Sequence, residues 1–174
     1  NRVGERTFNY ATQAYRQPGS TAKPIFAYGP GFEYDNFSTY QLFTDESWSY
    51  SDGTELGNWD KGYKGLMTLR DALSVSRNVP AVKSLQTVQK DVGNKKIVEF
   101  VENLGIKLKN NVAYVSYAIG GLDEGVNTVQ MAAAYAAFAN GGYYTDPYTV
   151  KSITYRSNGK TEKFKLKRKQ AMKD

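Results

Sequence analysis

Histidine and cysteine are both absent from the 174 residues, and the two absences remove a large part of enzyme chemistry. A Ser-His-Asp or Cys-His nucleophile needs imidazole as its base, and none exists here. Cys/His zinc sites, His- or Cys-ligated haem and iron–sulfur clusters fall with it, so no cofactor and no metal is expected. Disulfides are impossible, which leaves the fold to rest on its core. Any apolar run long enough to cross a bilayer is also missing, the longest approach being Met131 to Ala139, and there is no secretory signal. What enzyme chemistry remains must move protons with Lys, Asp, Glu or Tyr.

The residues that are present describe a folded, wet-surfaced chain. Hydrophobic residues make up 40% and 14 tyrosines raise the aromatic share to 14%, a mix that can bury a core in one domain. The net charge is +6, but residues 160–174 hold seven Lys/Arg against Glu162 and Asp174 and leave only +1 on the rest. A basic stretch confined to one end is a solvated strand or linker rather than a nucleic-acid face, so no nucleic-acid partner is expected. Asn1 in place of an initiating methionine is expected of a piece of a longer polypeptide.

Along the chain, residues 5–12 alternate loosely and predict a strand. Pro18-Gly19 breaks it, and a helix is expected from Ser20 to about Phe32, with Pro24 in its first turn. Residues 33–65, rich in Gly, Ser, Asp and Tyr, predict a long surface excursion with at most short strands. Thr68 with Asp71 resembles a capping box opening a helix towards Ser76. Helices follow from Pro80 to Gly93, over residues 94–104, and from a cap at Thr128 to Asn140. Residues 148–155 and 161–166 alternate at period two around Ser157-Asn158-Gly159-Lys160, a hairpin signal. The expected class is α+β, a helical subdomain with a partial antiparallel sheet of about three strands.

With imidazole missing, the useful pairing is a hydroxyl beside an amine. Ser20-Thr21-Ala22-Lys23 supplies one: residues three apart share a helix face, so the Lys23 amine can reach the Ser20 hydroxyl. The helix N-terminus favours alkoxide at Ser20 and disfavours a charged Lys23. A desolvated lysine then serves as a base near neutral pH. The tetrapeptide alone is a weak signal, as a second copy at Ser157 and Lys160 shows. That copy falls in the hairpin turn, where the two groups share no rigid face. Ser76-Arg77-Asn78, 56 residues after Ser20, offers a second hydroxyl to relay a proton and a carboxamide to bind a peptide-like substrate.

These residues, taken with their flanks, resemble a known family. Arg16-Gln17-Pro18-Gly19-Ser20-Thr21-Ala22-Lys23-Pro24 is similar to the active-site serine segment of penicillin-binding proteins. LRDALSVSRNVPAV, Leu69 to Val82, resembles their second motif, and MAAAYAAFANGG, Met131 to Gly142, a later helix of the same family. The likeness runs from Phe8 to about Met172 and is closest to the bifunctional class A form from Gram-positive bacteria. It implies the serine β-lactamase and penicillin-binding transpeptidase fold. It also implies a D,D-transpeptidase of peptidoglycan synthesis, on the outer face of the cytoplasmic membrane, reached by way of an anchor elsewhere in the polypeptide. Catalytic roles would fall to Ser20 (nucleophile), Lys23 (base) and Ser76 (proton relay). Asn78 would bind the substrate amide, and Trp59, in Asn58-Trp59-Asp60, matches a segment near the active-site rim, where an aromatic anchor for the long loop is the equal alternative. The implied partners are the D-Ala-D-Ala stem pentapeptide, β-lactam antibiotics and the rest of the same polypeptide.

Departures from the family pattern define the alternatives. The third motif, Lys-Thr-Gly or Lys-Ser-Gly, is absent, and Gly159-Lys160-Thr161 has the wrong order. Ala22 is smaller than the Phe or Met often found there. Residues 1–174 are therefore expected to be a partial transpeptidase domain that does not turn over substrate alone. The glycosyltransferase domain, membrane anchor and C-terminal strands would lie in other parts of the protein. A serine β-lactamase or β-lactam sensor shares Ser20 and Lys23, but Arg77 stands where a class A β-lactamase usually has Asp. A non-catalytic wall-peptide-binding module is the third reading.

Overall fold

The segment that begins at Gly19 is a helix whose pitch changes twice. The computed structural model describes residues 7–173. Gly19–Ala22 form a 3-10 turn, Lys23–Tyr28 a π-helical stretch and Gly29–Tyr34 an α-helix, α2. Pro24 has no N–H to give to the ladder, and the wider turn that follows is closed by Gly29 N–H donating to Pro24 O. This central helix buries Ala22, Lys23, Ile25, Phe26, Ala27 and Tyr28. Ser84 Oγ, itself buried, donates to Ala27 O at 2.7 Å and satisfies a carbonyl that the change of pitch would otherwise strand.

Around it pack the amphipathic helices expected from their periodicity. Leu69–Ser74 (α3) is capped by Thr68, whose hydroxyl accepts from Asp71 N, as the sequence indicates. Asn78–Asp91 (α4) buries Val79, Ala81, Val82, Leu85 and Val88 against the central helix and a 3-10 turn at Val115–Ile119. Asn94–Asn103 (α5) buries Ile97, Val98, Phe100 and Val101. Thr128–Ala139 (α6) starts one residue earlier than expected, because its cap is Asn127 and not Thr128. Asn127 accepts from Gln130 N in a reciprocal box, while Thr128 Oγ1 donates to Ala11 O at 3.2 Å.

The expected N-terminal strand is not formed over its described part. Tyr10–Gln13 make one helical turn, α1, because Asn9 caps it and α6 supplies partners for its free carbonyls. Residues 5 and 6 lie outside the described residues. Among the described residues, six short strands replace the expected three or so, in three antiparallel pairs. Leu42–Asp45 (β1) pairs with Gly65–Thr68 (β2), with Asp45 opposite Gly65. Tyr143–Thr145 (β3) pairs with Arg168–Gln170 (β6). Ser152–Thr154 (β4) and Thr161–Lys163 (β5) form the expected hairpin, shorter than its sequence pattern and exposed throughout. Strands of three or four residues are too short to announce themselves by alternation. Among the described residues, no helix is long and apolar enough to cross a membrane.

Candidate active site

The 3-10 turn brings Ser20 to the surface and puts Lys23 directly beneath it, with none of the lysine exposed. Lys23 Nζ lies 3.0 Å from Ser20 Oγ, and 2.8 Å from each of Ser76 Oγ, Ser76 O and Asn78 Oδ1. All three residues proposed from sequence as catalytic therefore meet at one nitrogen, with Asn78. The second Ser-x-x-Lys copy behaves differently: Lys160 keeps 68% of its side chain exposed and faces Glu162 at 3.8 Å. Burial separates the two copies where the tetrapeptide could not.

Taking the amine out of water penalises its charged form and lowers its pKa to about 8, helped by the Arg77 charge. In the neutral amine the arithmetic of hydrogen bonds is fixed. Ser76 O and Asn78 Oδ1 can only accept, so they take the two N–H bonds, and the lone pair is left for a hydroxyl proton of Ser20 or Ser76. The Asn78 carboxamide cannot turn round, because its Nδ2 donates to Gly57 O at 2.8 Å.

Ser76 owes its position to the end of α3. Ser76 N–H donates to Leu73 O and Arg77 N–H to Ala72 O, at 3.0 and 2.8 Å. This is the Schellman arrangement, with Ser76 at φ +55° in the place that usually takes glycine. A left-handed serine costs about 1 kcal/mol. Ser76→Gly is expected to melt no lower than the wild type, and Ser76→Ala to keep the strain. Thermal melts of the two variants check this, and a Ser76→Gly midpoint well below that of Ser76→Ala would mean that the left-handed backbone carries no strain.

Arg77, between the two site residues, is fully buried. Its Nε donates to Asp45 Oδ2 at 2.7 Å, Nη1 to Asp60 Oδ2 at 2.8 Å and Nη2 to Gly62 O. The hydrogen bond from Arg77, and after it the one from Gly62 N–H at 3.1 Å, hold the Asp60 carboxyl below its usual range. Asp45, Asn58 and Asp60 all come from the long excursion, and although the sequence singles out Asn58-Trp59-Asp60 as a rim segment, no sequence signal places these side chains under the second motif. Trp59 is 74% exposed, and its Nε1 donates to Val75 O at 3.2 Å, next to Ser76. The aromatic ring thus stands at the rim of the site and also ties its loop down.

The other wall is set by Gly120, at φ +90°, where an added Cβ would overlap the backbone of Gly19. Gln17 Oε1 accepts from Leu122 N at 2.6 Å while its Nε2 donates back to Leu122 O, and Tyr135 Oη donates to Thr21 O at 2.8 Å. The serine turn is thereby held on both sides. Among the described residues, no group of three or more acidic side chains could hold a metal ion.

A sequence model described as the penicillin binding protein transpeptidase domain matches residues 1–174. The chain belongs to the penicillin-binding protein transpeptidase family. Penicillin-binding protein 1A/1B of Bacillus subtilis (strain 168) is 43% identical over 169 residues, 96% of this chain and 18% of its own length. Penicillin-binding protein 1A of Streptococcus pneumoniae (strain ATCC BAA-255 / R6) is 38% identical over 173 residues, 95% of this chain and 23% of its own. The chain therefore spans about a fifth of the length of these curated relatives. Among solved structures, penicillin-binding protein 1A from Haemophilus influenzae superposes with a TM-score of 0.77 at 29% identity, over 94% of this chain and 24% of that one. Penicillin-binding protein A from M. tuberculosis, solved as an imipenem acyl-enzyme complex, shares the fold at a TM-score of 0.80 and 18% identity, over 95% and 42%. The α+β architecture expected from the sequence is the fold of this transpeptidase family.

Proposed function

We propose that residues 1–174 carry the acylating half of a D,D-transpeptidase of peptidoglycan synthesis. The observation that carries this reading is the buried Lys23 nitrogen within 3.0 Å of two serine hydroxyls, one of them the exposed Ser20. Ser20 Oγ attacks the carbonyl carbon of the penultimate D-alanine of a stem pentapeptide, and its proton passes to Lys23 Nζ. Collapse of the tetrahedral adduct breaks the C–N bond to the terminal D-alanine, whose amine receives the proton through Ser76. Asn78 binds the substrate amide at the site's edge and Trp59 lines the rim. The acyl group then moves to an amine on a neighbouring strand. A β-lactam follows the same first step, but its leaving amine stays tethered after ring opening.

We read the chain as part of one transpeptidase domain of a class A protein at the outer face of the cytoplasmic membrane. A glycosyltransferase domain, an anchor and a third-motif strand would be supplied by the same polypeptide. Its span of about a fifth of the curated relatives supports this reading.

The test is reaction of the full-length protein with a fluorescent penicillin, followed by peptide mapping of the adduct. A long-lived adduct on the peptide containing Ser20 is expected. An adduct on another residue overturns the assignment, rapid release of opened drug makes the protein a β-lactamase, and no adduct makes it a binding module.

A further inference from the structure

Three consecutive residues of the long excursion grip the second motif. Gly57 O accepts from Asn78 Nδ2 at 2.8 Å, Asn58 Oδ1 accepts from Asn78 N at 2.8 Å, and Trp59 Nε1 donates to Val75 O. Of these groups only Asn58 is a buried side chain, 6% exposed. Its own orientation is dictated from behind. Asn58 Nδ2 donates to Asp45 Oδ1 at 2.8 Å and to Gly62 O at 3.0 Å, so its oxygen must face α4. Asp45, in turn, accepts from Arg77 Nε and from Lys64 N–H through Oδ2. A continuous line of hydrogen bonds thus runs from a buried carboxylate through Asn58 and Asn78 to the Lys23 nitrogen.

We propose that Asn58 is a positioning residue for Lys23: its carboxamide, aligned by Asp45, fixes the first residue of α4 so that the Asn78 oxygen meets the lysine nitrogen. The N–H of Asn78 belongs to the helix's first turn, where no intrahelical partner exists, and a tertiary acceptor there decides the angle at which the helix begins. With Nδ2 of Asn78 held by the neighbouring Gly57, both nitrogens of Asn78 are anchored and only its Oδ1 is left for the site. Asn58 touches neither Ser20 nor Lys23. It acts by removing the freedom of the residue that does, and misplacement of a supporting group by about 1 Å costs roughly 10²-fold in rate.

The inference rests on the transpeptidase reading of Ser20 and Lys23, and the experiment separates the two. In the full-length protein the rate constant of Ser20 acylation by a fluorescent penicillin is measured apart from the amplitude, which counts competent molecules. Wild-type protein that forms no adduct refutes the function. If it does react, Asn58→Ala is expected to lower the rate constant about 10–100-fold in the molecules that still react. Asn58→Asp, which sets two carboxylates against each other, should fall further. Combining it with Asp45→Asn restores a donor opposite an acceptor and should return the rate constant to within a few-fold of wild type. A wild-type rate constant with only reduced amplitude in Asn58→Ala would overturn the proposal, because Asn58 would then serve folding alone. Failure of every Asn58 variant to fold, or no rescue by the double substitution, would overturn it as well.

Discussion

Replacing Lys23 with methionine is expected to slow acylation of Ser20 by roughly 10²–10⁴-fold and, at the same time, to make the protein more stable at pH 7. The two effects have one cause. A lysine whose pKa falls from 10.5 unfolded to about 8 folded binds fewer protons in the native state between those values. Stability therefore rises with pH across that window. Read the other way, burying Lys23 destabilises the fold by roughly 3 kcal/mol at all pH values below about 8, and the penalty fades as pH approaches 10.5. Methionine is unbranched and uncharged, and it escapes that penalty. It leaves Ser76 O and Asn78 Oδ1 without their donor, so a net gain of about 1–2 kcal/mol is expected. Denaturant melts from pH 6 to 10 check it: the advantage of Lys23→Met should be constant up to about pH 8 and shrink above. A variant less stable than wild type at pH 7, with a gap that ignores pH, would mean the lysine is comfortably charged where it lies. The wild-type acylation rate should meanwhile climb through a midpoint near 8, gaining about tenfold between pH 7 and 9.

Arg77→Met is expected to have the largest effect on stability of any single change near the site. Arg77 and Asp45 are both completely buried, and Asp60 is partly so. Removing one partner leaves an uncompensated carboxylate in the interior, which costs about 3–5 kcal/mol. For a domain of this size that corresponds to a fall of roughly 6–20 °C in the thermal midpoint. Surface pairs such as Lys96–Glu99, half exposed on both sides, serve as the control and should be nearly neutral. Arg77→Met together with Asp45→Leu removes both buried charges and should recover part of the loss. A double variant as unstable as the single one would indicate that the fork's geometry, not the stranded charge, stabilises the motif.

The legible part of this protein was its local chemistry. Thr68 and Asp71 marked a helix start because a cap is a contact between near neighbours. Ile97, Val98 and Val101 marked α5 because one face must be apolar. Ser20 and Lys23 were legible for the same reason, lying one helical turn apart with no imidazole to compete. The strand expected before Ala11 failed because α6, more than a hundred residues away, offers partners to the carbonyls of α1. Trp59, with Asn58 and Asp60 beside it, was visible only as a segment likeness, while Asp45, which holds Arg77 of the second motif, was not visible at all. An aspartate in a loop rich in Gly, Ser and Asp carries no periodic or motif signal. Its value comes from Arg77, at a sequence separation of 32 for Asp45.

By itself, then, the sequence determined the kind of base this protein can use, the nucleophile beside it and the helices that carry them. Each of those depends on residues within a turn or two of one another. Which Ser-x-x-Lys copy is buried, what lowers the Lys23 pKa, and how Ser76 and Asn78 converge on its nitrogen were decided only in three dimensions. Desolvation and the orientation of a hydrogen bond are properties of what packs around a group, and here the surroundings come from segments that the chain keeps far apart.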